Sequence, residues 1–186
     1  SVIIYGASTG TMTLSGQTGA VVKWQKRVGS DPWGDIANIT TTYSETPSSA
    51  GTWQYRAQVK SGTCSEAFSD PLSILVSPKE IVITPDPNQF LVFVEDDPEP
   101  MFFTYTNSEW PDNSNFTGAL GREPGINVGF YAYTLGDLSA GPNYYLVMVD
   151  SPAMFEIIPK QITITPSTGQ SKVYGSSDPV FAYTNS

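Results

Sequence analysis

The 186-residue chain contains no histidine and a single cysteine, Cys64. Without an imidazole, serine and cysteine nucleophiles lack their commonest activating base. One thiol makes neither an internal disulfide nor a four-ligand zinc site. Charged residues make up only 15%, below the roughly 25% of typical soluble domains, which argues against long helices with Glu-, Lys- and Arg-rich surfaces. No run approaches the ~20 apolar residues of a membrane helix. The first residues, SVIIYG, lack the charged segment that opens a signal peptide. There is no GxGxxG, no P-loop and no basic patch. The expectation is a protein that is not an enzyme and needs no cofactor.

What is present is a repeat. Lys79–Pro85 reads KEIVITP and Lys160–Pro166 reads KQITITP, an offset of 160 − 79 = 81 residues. At that offset Gln89 answers Gln170, Val92-Phe93 answers Val173-Tyr174, and Asp97-Pro98 answers Asp178-Pro179. After three extra residues in the first copy, Tyr105-Thr106-Asn107-Ser108 matches Tyr183-Thr184-Asn185-Ser186. A fixed period marks an array of similar units. The expected organisation is a unit over 1–77, a second over 78–159, and the truncated start of another copy over 160–186, all part of a longer repetitive protein.

Charge follows the same division. Residues 1–77 carry five basic and five acidic side chains, whereas 78–159 carry two basic and twelve acidic, a net of 2 − 12 = −10. A phosphate backbone would repel that middle unit, so nucleic acid is not expected as a partner.

Both units alternate with period two. In the first, Met12–Leu14, Ala20–Lys26, Ile36–Tyr43, Thr52–Val59 and Leu72–Val76 have strand patterns separated by turns. The alternation places Val22 and Trp24 on one face of their strand, and Trp53, Tyr55, Ala57 and Val59 on one face of theirs. In the second, Lys79–Thr84, Phe90–Val94, Met101–Thr106, Phe116–Leu120, Val128–Leu135, Asn143–Val149 and Ala153–Ile158 are the candidates. In 160–186 they are Gln161–Thr165 and Phe181–Thr184. The fold class expected is all-β or nearly so.

Two resemblances attach to these patterns. The first unit, with VVKWQKR followed by AGTWQYRAQV and SGTCS, is similar to immunoglobulin-like modules of giant surface proteins from Bacteroidota. That likeness implies a β-sandwich in which Trp24 packs between the sheets. It puts Trp53 near the corner position usually held by tyrosine, and Tyr55 where antibody domains carry a second cysteine. It also implies a cysteine near the first strand as partner for Cys64; Ile4 stands there, so Cys64 is expected unpaired. The second unit resembles the YGx-type MBG repeat, a β-grasp-like module, through Asp97-Pro98, Gly118–Arg122, Gly125–Tyr131, Gly136–Tyr144 and Phe155–Pro159. The naming motif is Tyr174-Gly175-Ser176 in the last segment but Phe93-Val94-Glu95 in the full copy. Together the resemblances imply spacer repeats of a long adhesin on the bacterial cell surface, exported by type IX secretion and serving attachment or gliding.

Few residues suggest chemistry. Glu95, Asp96, Asp97 and Glu99 crowd one turn and form the candidate Ca²⁺ set, since that ion takes six to eight oxygens. The corresponding Ser176-Ser177-Asp178-Pro179 has lost most of the carboxylates, which favours a solvated turn. Trp33 and Trp110, each beside a proline in a turn, are the candidate contact residues for a glycan or a protein. Asn38-Ile39-Thr40 and Asn115-Phe116-Thr117 fit the glycosylation acceptor pattern. Cys64 is expected to be a buried or half-buried inert thiol.

The leading expectation is a structural spacer whose partners are neighbouring repeats, the export machinery or other surface proteins, with glycan, host or abiotic surfaces engaged elsewhere in the polypeptide. The alternatives are a glycan- or protein-binding module in its own right, or an accessory region of a larger secreted enzyme.

Overall fold

The structure, a computed structural model, describes residues 1–93 and 101–186, and among these every regular element is a β-strand. The first module comprises β1 (Val2–Ile4), β2 (Met12–Thr13), β3 (Ala20–Val28), β4 (Gly34–Ile36), β5 (Thr42–Tyr43), β6 (Gly51–Lys60), β7 (Ala67–Phe68) and β8 (Leu72–Ser77). Its main sheet runs β1-β8-β6-β3-β4, with β7 also on β6, and the small β2-β5 pair faces it. Between them lie Met12, Val21, Trp24, Trp53, Tyr55, Ala57, Ile74 and Val76, all buried. Each large side chain removed from water there contributes roughly 1.5–3 kcal/mol.

The alternation read from sequence holds on β6 but fails on β3. The β3–β6 register slips between Val21 and Lys23, so Val22 is the extra residue of a bulge. A bulge shifts the side-chain parity by one position. Val21 and Trp24 therefore both face the core, while Val22 is exposed. Both core tryptophans satisfy their ring N–H on backbone carbonyls: Trp24 Nε1 donates to Thr40 O and Trp53 Nε1 to Ser49 O, each at 2.9 Å. Trp53 thus bonds back to the chain four residues upstream, as the corner tyrosine of a sandwich does.

The second module contains β9 (Lys79–Pro85), β10 (Phe90–Val92), β11 (Tyr105–Asn107), β12 (Gly121–Arg122), β13 (Gly129–Thr134), β14 (Tyr144–Met148) and β15 (Met154–Ile158). A β10-β15-β13-β12 sheet and a β11-β9-β14 sheet enclose Ile81, Ile83, Leu120, Tyr133, Leu138, Phe155 and Ile157. The arrangement is consistent with a β-grasp-like module. The strand expected over Phe116–Leu120 is reduced to a single bridge between Thr117 and Ser139. Gly118, at φ +75°, turns the chain there, and Ala119 N donates to Asp137 Oδ1 at 2.8 Å.

Residues 160–186 form β16 (Ile164–Pro166) and β17 (Tyr183–Asn185), and they repeat the second module in detail. β11 pairs β9 as Tyr105↔Pro85, Thr106↔Thr84 and Asn107↔Ile83; β17 pairs β16 as Tyr183↔Pro166, Thr184↔Thr165 and Asn185↔Ile164. Gln89 brackets the first hairpin, donating from Nε2 to Asp86 O and Thr104 O and accepting Thr104 N. Gln170 does the same to Ser167 O, Ala182 O and Ala182 N. Gly175 of the naming motif sits at φ +84°, a conformation suited to glycine. Its counterpart Val94 lies outside the described residues.

The copies differ in cover. Ile81 and Ile83 are fully buried, whereas their equivalents Ile162 and Ile164 are about 60% exposed. A two-stranded ribbon without a buried face is marginal in water. In the isolated chain, amides of 160–186 are expected to exchange orders of magnitude faster than those of β9 and β6. Hydrogen-exchange mass spectrometry checks this, and comparable protection would contradict it.

Candidate functional site

The joint between the modules is where the chain is built most specifically. β8 ends at Ser77 and β9 begins at Lys79, so Pro78 alone links them. Proline fixes its own φ and restricts the residue before it. Across this short link, Asn143 acts as a splint. Its carbonyl accepts Lys79 N at 2.9 Å, and its side-chain Oδ1 accepts Ala50 N of the first module at 2.8 Å. Beside it, Tyr5 meets Tyr144 edge-on, with centroids 5.4 Å apart and planes at 82°. Tyr144 in turn meets Trp110 at 5.1 Å, and Trp110 meets Phe116 at 5.4 Å. Lys79 closes the cluster by pairing with Glu109 at 2.6 Å. Edge-to-face ring pairs contribute about 0.5–1.5 kcal/mol beyond their buried area. Trp110 is therefore half-buried in the wall of the joint, and its ring is engaged by two neighbours.

Trp33, the other candidate contact residue, lies on the outer face of the first module. The guanidinium of Arg27 sits 4.6 Å from the Trp33 ring and that of Arg56 4.1 Å from it. Arg56 is also 3.9 Å from the ring of Phe68. Alternation on β3 and β6 puts both arginines on the solvent side, because Trp24, Trp53 and Tyr55 take the inner face. Each arginine is held by one glutamine: Arg27 Nε donates to Gln54 Oε1 at 2.7 Å and Arg56 Nε to Gln25 Oε1 at 2.8 Å. The nearby Asp35 is occupied by Gln25 Nε2 and Lys23 Nζ, both at 2.7 Å, which hold its carboxyl below the usual carboxylate range.

One charged group went unmarked in the sequence. Glu45, with 14% of its side chain exposed, accepts Lys26 Nζ at 2.5 Å, Tyr43 OH at 2.6 Å and Tyr55 OH at 2.8 Å. Burial alone would raise its pKa, but these three donors outweigh burial and hold it below the ordinary value. The same contacts, added to burial, push both tyrosine hydroxyls well above theirs. The cluster ties β3, β5 and β6 to the segment that follows β5.

The remaining candidates are dispersed. The proposed calcium set, Glu95, Asp96, Asp97 and Glu99, lies outside the described residues. Among the described residues, no three His, Cys, Asp or Glu side chains converge as a metal set. Asn38 is half-buried and spends its amide within the turn, donating to Thr42 O and accepting Thr40 N, while Asn115 is exposed. Cys64 is free and exposed, not buried as expected, because it sits in the turn between β6 and β7. Ile4, the position the resemblance gave its partner, is itself 58% exposed on β1.

Comparison with known families finds an MBG domain (YGX type) at residues 81–152 and a domain of unknown function (DUF8696) at residues 1–78. No curated protein and no solved structure matches the chain.

Proposed function

We propose that this chain is a run of spacer modules in a longer surface protein, neither an enzyme nor a cofactor carrier. The observation that carries the reading is the repeated hairpin frame. The Gln89 bracket and the β9–β11 register recur at Gln170 and β16–β17, which is the behaviour of a unit reused in series. Modules in series with short links gain length at small entropic cost, and a splinted joint such as that at Pro78 turns that length into reach. The MBG match supports a repeat-type module, and the resemblance extends it to an extracellular adhesin of Bacteroidota exported by type IX secretion. Its partners in that setting are the neighbouring repeats of the same polypeptide, with the export machinery or other surface proteins in contact during assembly. Attachment or gliding then depends on a distal site that these modules hold away from the cell.

Replacing residues 1–159 in the parent polypeptide by an unrelated pair of stiff β modules of equal length tests this reading. Retained surface attachment is expected. Attachment lost despite normal export would show that these modules make the contact themselves.

A further inference from the structure

We infer that the outer face of the first module binds a carboxylate-bearing linear polysaccharide, a polyuronate, along the row Arg27–Trp33–Arg56–Phe68. The row alternates cation and aromatic ring across neighbouring strands, at 4.6, 4.1 and 3.9 Å between successive partners. Among the described residues neither arginine has a carboxylate partner, since Asp35 is held by Lys23 and Gln25, and Glu66 by Gln58. Their only hydrogen bonds there leave from Nε, to Gln54 and Gln25, so the Nη groups have no bond within this face. A guanidinium donates in its own plane, the geometry that matches a carboxylate fork. Phe68 is 47% exposed and Trp33 is half-buried, so the row is reached from solvent.

Two features decide the class of ligand. The uncompensated guanidinium charge calls for an anion. The alternation calls for one whose charges are separated by apolar surface, as in a uronate chain, where each carboxylate is followed by the C–H face of a sugar ring. An inorganic polyphosphate offers no such apolar interval. The second module, net −10 over 78–159, repels any polyanion, which leaves the face of the first module to take one. This inference needs no particular export route or parent protein, and its failure would leave the spacer reading standing.

The test is calorimetric titration of the 186-residue chain with oligogalacturonate at low ionic strength, with Trp fluorescence followed in parallel. Saturable binding is expected, weakening about tenfold or more in Arg27→Gln and Arg56→Gln, since each removes charge-assisted hydrogen bonds. Arg56→Lys keeps the charge but loses the planar fork and is expected to weaken binding nearly as much. Full binding by that variant would contradict the in-plane geometry. The methyl-esterified oligomer, the same backbone without charge, is expected not to bind. Poly-L-glutamate separates the sources of carboxylate: equal affinity per carboxylate would assign the face to acidic proteins and overturn the polysaccharide. Absence of any heat or fluorescence change with oligogalacturonate overturns the proposal outright. Circular dichroism checks that each variant is folded; should the Arg56 variants unfold, Arg27→Gln, at the end of the row, decides alone.

Discussion

Gly118→Ala is expected to lower the thermal transition of the second module by about 12–24 °C or more while the first keeps its own. Gly118 holds φ +75°, and a Cβ there would lie 2.2 Å from Asp137 O and 2.7 Å from its carbonyl carbon. An L-residue in that conformation costs about 1–2 kcal/mol before any clash. The clash is with backbone, which cannot swing away as a flexible side chain can. Gly136 meets the same pinch from the other side, at φ +57° with Ala119 O only 2.6 Å from its missing Cβ. The two glycines let the segments around 118 and 137 cross, and that crossing carries Leu120 and Leu138 into the core. The total cost is about 3 kcal/mol or more, a large part of a domain's net stability. Scanning calorimetry should show one transition lowered or lost and the other unmoved. A single transition lowered as a whole would mean that the modules fold as one unit.

Glu45→Ala is expected to destabilise the first module by about 2–3 kcal/mol. It leaves the hydroxyls of buried Tyr55 and half-buried Tyr43 without their acceptor, while Lys26, 36% exposed, turns to water. The pH dependence follows from the direction of the shift. Because the folded-state pKa of Glu45 lies below its unfolded value, its contribution is present above the unfolded pKa, about 4.3, and is lost as pH falls through the folded pKa. The raised hydroxyls of Tyr43 and Tyr55 set the opposite limit. Their contribution is present below their unfolded pKa, about 10, and is lost as pH rises toward their folded values. Thermal melts of the wild type should therefore weaken at both extremes, with the acid limb reduced in Glu45→Gln. An acid limb unchanged by that substitution would show that other carboxylates govern it.

How much of this could be read from sequence depended on the range of the interaction. Strands with several alternating residues, such as those containing Trp53-Tyr55-Ala57 and Ile81-Ile83, announce their inner face, and they lie as expected. The inward face of β3 did not follow from its pattern, because the bulge at Val22 is a one-residue slip that leaves the run equally apolar. β1 and β7, of three and two residues, are too short to show a period. The strand expected from Met101 begins only at Tyr105, because the Gln89 side chain takes both the N–H and the carbonyl of Thr104 and stands in for a neighbouring strand. Gln89 was visible only as a residue repeated at 170, without its role. In the Glu45 cluster and around the arginine–aromatic row the contacts of Tyr55 with Glu45 and of Arg56 with Gln25 join residues 10 and 31 positions apart. No local motif signals such contacts; the register of β3 against β6, with Glu45, Trp33 and Phe68 brought beside it from other segments, creates them. Trp33 was marked for its place in a turn, but its arginine neighbours were not.

Whether the two modules form a stiff spacer is decided at their joint. Cys64 provides one natural labelling position, exposed and on the first module, and Glu123→Cys provides a second on the outer surface of the other. Spin labels at both, read by pulsed dipolar spectroscopy in the full 186-residue chain, measure the spread of inter-module distances. One narrow distribution is expected, and it broadens in Asn143→Ala, where the splint to Ala50 is removed. A broad distribution in the chain with Asn143 intact would contradict a stiff spacer.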